Sequence, residues 1–178
     1  MKFRLIVVGI IALVGEVSAQ NGNYSLSHFN PAQERSDYLS FDLTQDDRGI
    51  IYIAGKEGVE EFDGRRWRLI PTPGVTYTLA KSTNKIIAGG LDGFGVVIDD
   101  PIKGWGYQSL SDAKEAKNVF ASLSLKDKTY LINDEHLFIV SPAANKTDAI
   151  IKAPEGTELT WIFEINGKIL LTTSDNEL

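Results

Sequence analysis

The sequence predicts an all-β fold, a partial β-propeller of about three and a half four-stranded blades, and three observations carry that expectation. Short runs of strand-forming residues recur with turn chemistry between them, which points to a sandwich, a barrel or a propeller. Four segments share one order of apolar strand, polar turn, apolar strand and small or acidic loop: YLSFDLTQDDRGIIYIAGKEG from residue 38, TYTLAKSTNKIIAGGLDG from 76, FASLSLKDKTYLINDEH from 120 and TWIFEINGKILLTTSDNE from 160. Their second strands end at Gly55, Gly90, Asn133 and Thr173, at intervals of 35, 43 and 40 residues, the length expected of a four-stranded blade. A β-sandwich with similar hairpins is the competing fold, but a sandwich needs no fixed period.

Taken in order, the chain begins with Lys2 and Arg4, an apolar run from Leu5 to Gly15, and the small residues VSA at 17 to 19. That is the pattern of a secretory signal peptide, so residues 1 to 19 are set apart from the fold. The apolar run of 11 residues is shorter than the roughly 20 that span a bilayer. Residues 20 to 37 form a lead-in segment. The blades then cover approximately 38 to 71, 75 to 111, 119 to 154, and an incomplete 159 to 178. In the first, GVEEF and RRWRLI flank Asp63-Gly64, a dipeptide suited to a type I′ hairpin turn. The second pairs GVVIDD with WGYQSL across PIKG, and the third pairs LFIVSP with AIIKAP across AANKTD. SDAKEAKNVF, at 111 to 120, is the one stretch with a helical period. The fourth unit stops after its second strand, and an arc of this length needs more blades to close a ring. The expectation is therefore an N-terminal part of a longer protein, with closure by a homodimer as the alternative.

Charge and composition remove several function classes. Without residues 1 to 19 the chain keeps 16 basic and 23 acidic side chains, a net charge of -7, which disfavours a nucleic-acid-binding surface. There is no cysteine, so an exported domain of this sequence must be stabilised by its core rather than by disulfides. The histidines are His28 and His136, too few with no Cys to suggest a zinc centre or thiol chemistry. No metal, cofactor or catalytic residue is predicted, and GGLDGFG at 89 to 95 reads as a β turn rather than a phosphate loop.

Propeller topology puts the loops between second and third strands, and between blades, on one face. Those loops carry Lys56, Glu57, Asp92, Phe94, Asp134, Glu135 and Asp175, which are the predicted ligand-binding residues. Carboxylates accept hydrogen bonds and an aromatic face stacks on apolar surface, so this rim suits a small ligand such as an oligosaccharide, or a cation. Trp67, Trp105 and Trp161 are expected to pack between blades. Arg65, Arg66 and Arg68 beside Trp67 are expected to protect an outer edge strand.

DDRGIIYIAGKEGVEEFDGRRWRLIP resembles the propeller repeats of bacterial two-component regulators, whose blades carry an "rGiiYig...Gv..yDG..W" pattern. HFNPAQERSDYLSFDLTQDDRGIIY and AGGLDGFGVV followed by WGYQSLSD are similar to the first and second blades of periplasmic sensors of Bacteroidetes-type bacteria. In those sensors a propeller precedes a triple-tyrosine domain. The resemblance covers roughly residues 28 to 141 and departs from the pattern at Ala54-Gly55, where an Asn is common. It implies a non-enzymatic, periplasmic or extracellular sensor module. Its partners would be a small ligand and the downstream domains of the same chain. The membrane would be reached only through a downstream helix ahead of a kinase or DNA-binding output. A secreted carbohydrate-active propeller enzyme and a non-catalytic surface scaffold are the alternatives.

Overall fold

A computed structural model describes residues 39–100, 104–111 and 114–175. The chain divides into units 1–33 and 34–178, and every described residue belongs to the second. The predicted signal peptide, the lead-in segment and His28 lie outside the described residues.

The described residues are all β. Three four-stranded antiparallel meanders and one two-stranded hairpin follow one another in chain order. The first sheet is β1 (Ser40–Gln45), β2 (Ile51–Gly55), β3 (Gly58–Phe62) and β4 (Trp67–Pro71). The second is β5 (Thr76–Ser82), β6 (Lys85–Gly90), β7 (Gly93–Asp100) and β8 (Gly104–Ser109). The third is β9 (Ala121–Leu125), β10 (Lys128–Ile132), β11 (His136–Ser141) and β12 (Lys146–Lys152), with a short 3-10 turn at Pro142–Ala144. β13 (Leu159–Ile165) and β14 (Lys168–Thr173) make a two-stranded fourth sheet. The architecture is compatible with a propeller fragment, and the described residues close no ring.

The core lies between successive sheets. Tyr52, Ala54, Val59 and Ile70 of the first sheet meet Leu79, Ile86, Ala88 and Val97 of the second. The opposite face of the second sheet presents Ala80, Ile87, Phe94 and Val96 to Leu131, Phe138 and Val140 of the third. Ala121, Ile132 and Leu137 then meet Leu159 and Ile162. Neighbouring residues such as Ile86 and Ile87, or Val96 and Val97, therefore enter different cores because their side chains alternate across the sheet. Middle strands buried on both faces lose the usual alternation and read as unbroken apolar runs. Trp161, Phe163 and Ile165 of the fourth sheet stay exposed.

Two local expectations are corrected. Asp63-Gly64 is not a two-residue turn: Phe62 pairs with Trp67, and the loop between them is closed by Asp63, whose Oδ1 accepts the N–H groups of Arg65 and Arg66 at 2.8 Å each. Gly64 alone takes positive φ there, whereas Asn166 and Gly167 both do, as a type I′ turn requires. The predicted helical stretch contains no helix in its described part. Residues 114–118 are turns, Asn118 takes φ 54°, and Ala116 and Val119 enter the second core.

The β1–β2 hairpin rests on Asp46. Its Oδ1 accepts the N–H groups of Arg48 (2.9 Å) and Ile50 (3.0 Å), and its Oδ2 accepts Arg48 Nη2 at 2.6 Å. Burial pushes the Asp46 carboxyl upward, but the Arg48 and backbone hydrogen bonds together outweigh it and hold the pKa below the ordinary value. A depressed carboxylate stabilises the fold at pH above its unfolded value, about 3.9, and that contribution is lost as pH falls through the lower folded value. Asp46→Asn is therefore expected to lower the urea midpoint at pH 7, with the gap to the parent closing as the pH is taken below about 4. A gap that stays constant down to acid pH would mean that the charge of Asp46 is not the source.

Candidate functional site

The predicted rim residues share one edge of the sheets, with one exception. Lys56 and Glu57 occupy the β2–β3 turn, Asp92 the β6–β7 turn, and Asp134 and Glu135 the β10–β11 turn, all exposed. Asp175 follows β14 and accepts a hydrogen bond from the Thr173 hydroxyl. The connectors between sheets bind this edge. Leu91 N–H donates to Val75 O at 2.8 Å, and Asn118 N–H donates to Leu91 O at 3.0 Å. Farther along, Leu159 N–H donates to Asp134 O and Ser174 N–H to Glu158 O, each at 2.8 Å. Gly90 shows how closely the connector passes: a Cβ there would lie 2.0 Å from Val75 O.

Phe94 is the exception. It is 1% exposed, because the turn between β6 and β7 is only Leu91-Asp92 and the strand has already begun at Gly93. Its side chain points into the second core, where its ring centroid is 5.1 Å from that of Phe138. It cannot act as a rim aromatic. The remaining rim groups are separate carboxylates and one lysine. Among the described residues, no group of three His, Cys, Asp or Glu side chains is placed to hold a metal ion. Glu135 borders an open depression of about 600 Å³ along residues 152–158.

A second cleft lies where the first strands of the four sheets come together. β1, β5, β9 and β13 are successive neighbours, and a cleft of about 380 Å³ opens among them, lined by Phe41, Asp42, Tyr77, Thr78, Phe120, Ala121, Ser122, Trp161 and Ile162. Each unit gives it one aromatic ring. β1, β5 and β13 all slip register near their starts, between Ser40 and Asp42, Thr76 and Thr78, and Leu159 and Trp161. An extra residue of this kind bends the strand and re-aims side chains. Phe41 and Tyr77 are the inserted residues, and their rings meet edge to face at 5.3 Å. Trp161 directly follows the third slip. β9 has no slip, and Phe120 stands just before it, its N–H donating to Ile132 O at 3.1 Å.

The polar groups of the cleft form one chain. Asp42 Oδ2 accepts Leu79 N–H at 2.7 Å and the Thr78 hydroxyl at 3.3 Å, while Oδ1 accepts Leu43 N–H at 2.7 Å. Thr78 Oγ1 and Ser122 Oγ are 2.7 Å apart. Since Thr78 gives its proton to Asp42, Ser122 is the donor in that contact. Asp42 thus ties the first sheet to the second and leaves a negative charge in a cleft lined by aromatic residues.

Trp161 is half exposed in this cleft, contrary to the expectation of packing between sheets. Trp67 stacks on Phe62 of its own sheet at 4.6 Å. Trp105 links neighbouring sheets through Arg68, whose guanidinium carbon sits 3.4 Å from the ring centroid. Arg68 also pairs with Glu61 at 2.8 Å, so it has a clasping role besides guarding an edge. His136 opens β11.

No family model matches the chain, and no match is found among the curated proteins compared with it.

Proposed function

We propose that the four sheets are blades of a β-propeller fragment and that this segment is a non-catalytic, extracytoplasmic module which binds a small ligand for a sensor protein. The observation that carries this reading is the inner cleft, to which four successive units each contribute an aromatic ring. Its volume falls within the range of small-molecule sites, and aromatic side chains beside a few convergent polar groups are features of such sites. Hydrolysis of a glycoside generally takes two carboxyl groups flanking the bond, whereas among the described residues one carboxylate, Asp42, lines this cleft. That favours binding over turnover. Export rests on the signal-peptide pattern of residues 1 to 19, and the sensor role rests on the resemblance of residues 28 to 141 to two-component propellers. A bound ligand would signal only if it prefers one of two states of the larger protein.

The test is a ligand-observed NMR screen of the full chain against mixed soluble metabolites, including neutral saccharides and amines. The expected result is a saturable ligand that loses contact in a Phe41→Ala/Trp161→Leu variant and is recovered chemically unchanged. Conversion of that compound to product would sink the non-catalytic reading, and binding indifferent to the double substitution would move the site elsewhere.

A further inference from the structure

The class of ligand follows from the balance of charge and hydrogen bonding in the same cleft, and the inference rests on the ligand-binding reading above. We infer that the cleft takes an organic cation, a quaternary or alkylated ammonium group, with Phe41, Tyr77, Phe120 and Trp161 as its walls and Asp42 as its counter-charge.

Among the described residues of the lining, Asp42 alone is charged at neutral pH. A carboxylate offers about four acceptor positions, and three on Asp42 are taken by Leu43 N–H, Leu79 N–H and the Thr78 hydroxyl. The Thr78 proton is committed to Asp42 and the Ser122 proton to Thr78 Oγ1. The side chains therefore offer a ligand one carboxylate position, the Ser122 lone pairs, the Tyr77 phenol and the Trp161 indole N–H. A saccharide brings several hydroxyls per ring, each needing a partner once it leaves water. A quaternary ammonium group has no N–H and needs none. It is drawn to the faces of aromatic rings and to a negative charge, and aromatic cages use both. Satisfying the Asp42 oxygens through neutral donors fixes the group without cancelling its charge. Trp161 and Phe41, 50% and 46% exposed, present ring surface that such a ligand would cover. The chain's net charge of -6 draws cations toward it as well.

The experiment is a titration of the full chain with choline, followed by tryptophan fluorescence and amide NMR shifts. Parallel titrations use the neutral isostere of choline, in which carbon replaces the ammonium nitrogen, and cellobiose as a neutral saccharide. Choline is expected to bind saturably, and the isostere about tenfold more weakly or worse. Trp161→Leu should weaken choline by about tenfold with an unchanged melting temperature, since Trp161 is half exposed. Asp42→Asn, which keeps an oxygen for Leu79 N–H, should weaken it by a similar factor and reduce the salt dependence of binding. Equal affinity for choline and its isostere, or choline binding untouched by Trp161→Leu, would overturn the assignment. Cellobiose binding that Trp161→Leu removes, with no choline response, overturns the cation but leaves the cleft as a ligand site. Silence from both probes overturns the cation and counts against the site itself.

Discussion

Replacing Phe94 by alanine is expected to destabilise the second sheet's core by about 3–5 kcal/mol, a large part of the roughly 5–15 kcal/mol that holds a domain folded. The ring is 1% exposed and packs with Val96, Val119, Leu131 and Phe138. Its backbone is pinned on both sides: Phe94 N–H donates to Ser111 Oγ at 3.0 Å, and Phe94 O accepts Leu110 N–H at 3.0 Å. With the strand held in place, the site cannot collapse fully around the lost ring, and a cavity adds to the lost transfer energy. The check is urea unfolding, in which the midpoint should fall with little change in slope. Asp92→Ala, two residues away in the exposed turn, should stay within about 0.5 kcal/mol of the parent. A small loss for Phe94→Ala together with impaired ligand binding would return Phe94 to the rim and contradict its burial.

That contrast shows where the sequence is legible. The sheets are visible because β6, β7, β10 and β11 are covered on both faces, which selects apolar runs such as KIIAGG and HLFIVS, and because the runs recur at a near-constant interval. Some turns follow from local chemistry, as Asn166-Gly167 illustrates. Phe94 is misplaced by the same glycine signal: GGLDGFG looks like a seven-residue loop, yet Gly90 and Gly93 pair with each other as strand ends. The aromatic cleft is hidden for a different reason. Phe41 and Tyr77 are extra residues in slipped registers, Phe120 precedes its strand, and Trp161 stands one position later than the others relative to the slip. A search for a fixed offset misses them, although one aromatic near the start of every unit is itself a readable signal. The helical period of residues 111 to 120 arises because Ala116, Val119 and Phe120 all face inward from a connector folded over the sheet edge, and inward spacing in a tight turn mimics a helix face.

Asn133 is expected to be the most costly polar residue of that edge to replace. It is 4% exposed and makes four hydrogen bonds. Its Nδ2 donates to Glu115 O (3.1 Å) and Lys117 O (2.9 Å), and its Oδ1 accepts Glu135 N–H (3.1 Å) and His136 N–H (2.7 Å). One side chain thereby fastens the 114–118 turns to the turn carrying Asp134 and Glu135. Each net bond is worth about 1 kcal/mol, and a buried group left without a partner costs about 1–3 kcal/mol, so Asn133→Ala should cost about 3 kcal/mol. Asn133→Asp separates the two halves of the role. It retains oxygens for Glu135 and His136 but sets a carboxylate against the carbonyls of Glu115 and Lys117, so it should fail as well. Hydrogen exchange gives the more specific readout. The amides of Asn118 and Val119, bonded to Leu91 O and Gly90 O, should exchange faster in both variants, because the connector loses its anchor to the third sheet and opens locally. The amides of Glu135 and His136 should do so only in Asn133→Ala. If both variants stayed within about 0.5 kcal/mol of the parent and left those amides protected, the connector would be held by the burial of Ala116 and Val119 alone. The predicted rim would then owe its shape to apolar packing rather than to a polar clasp.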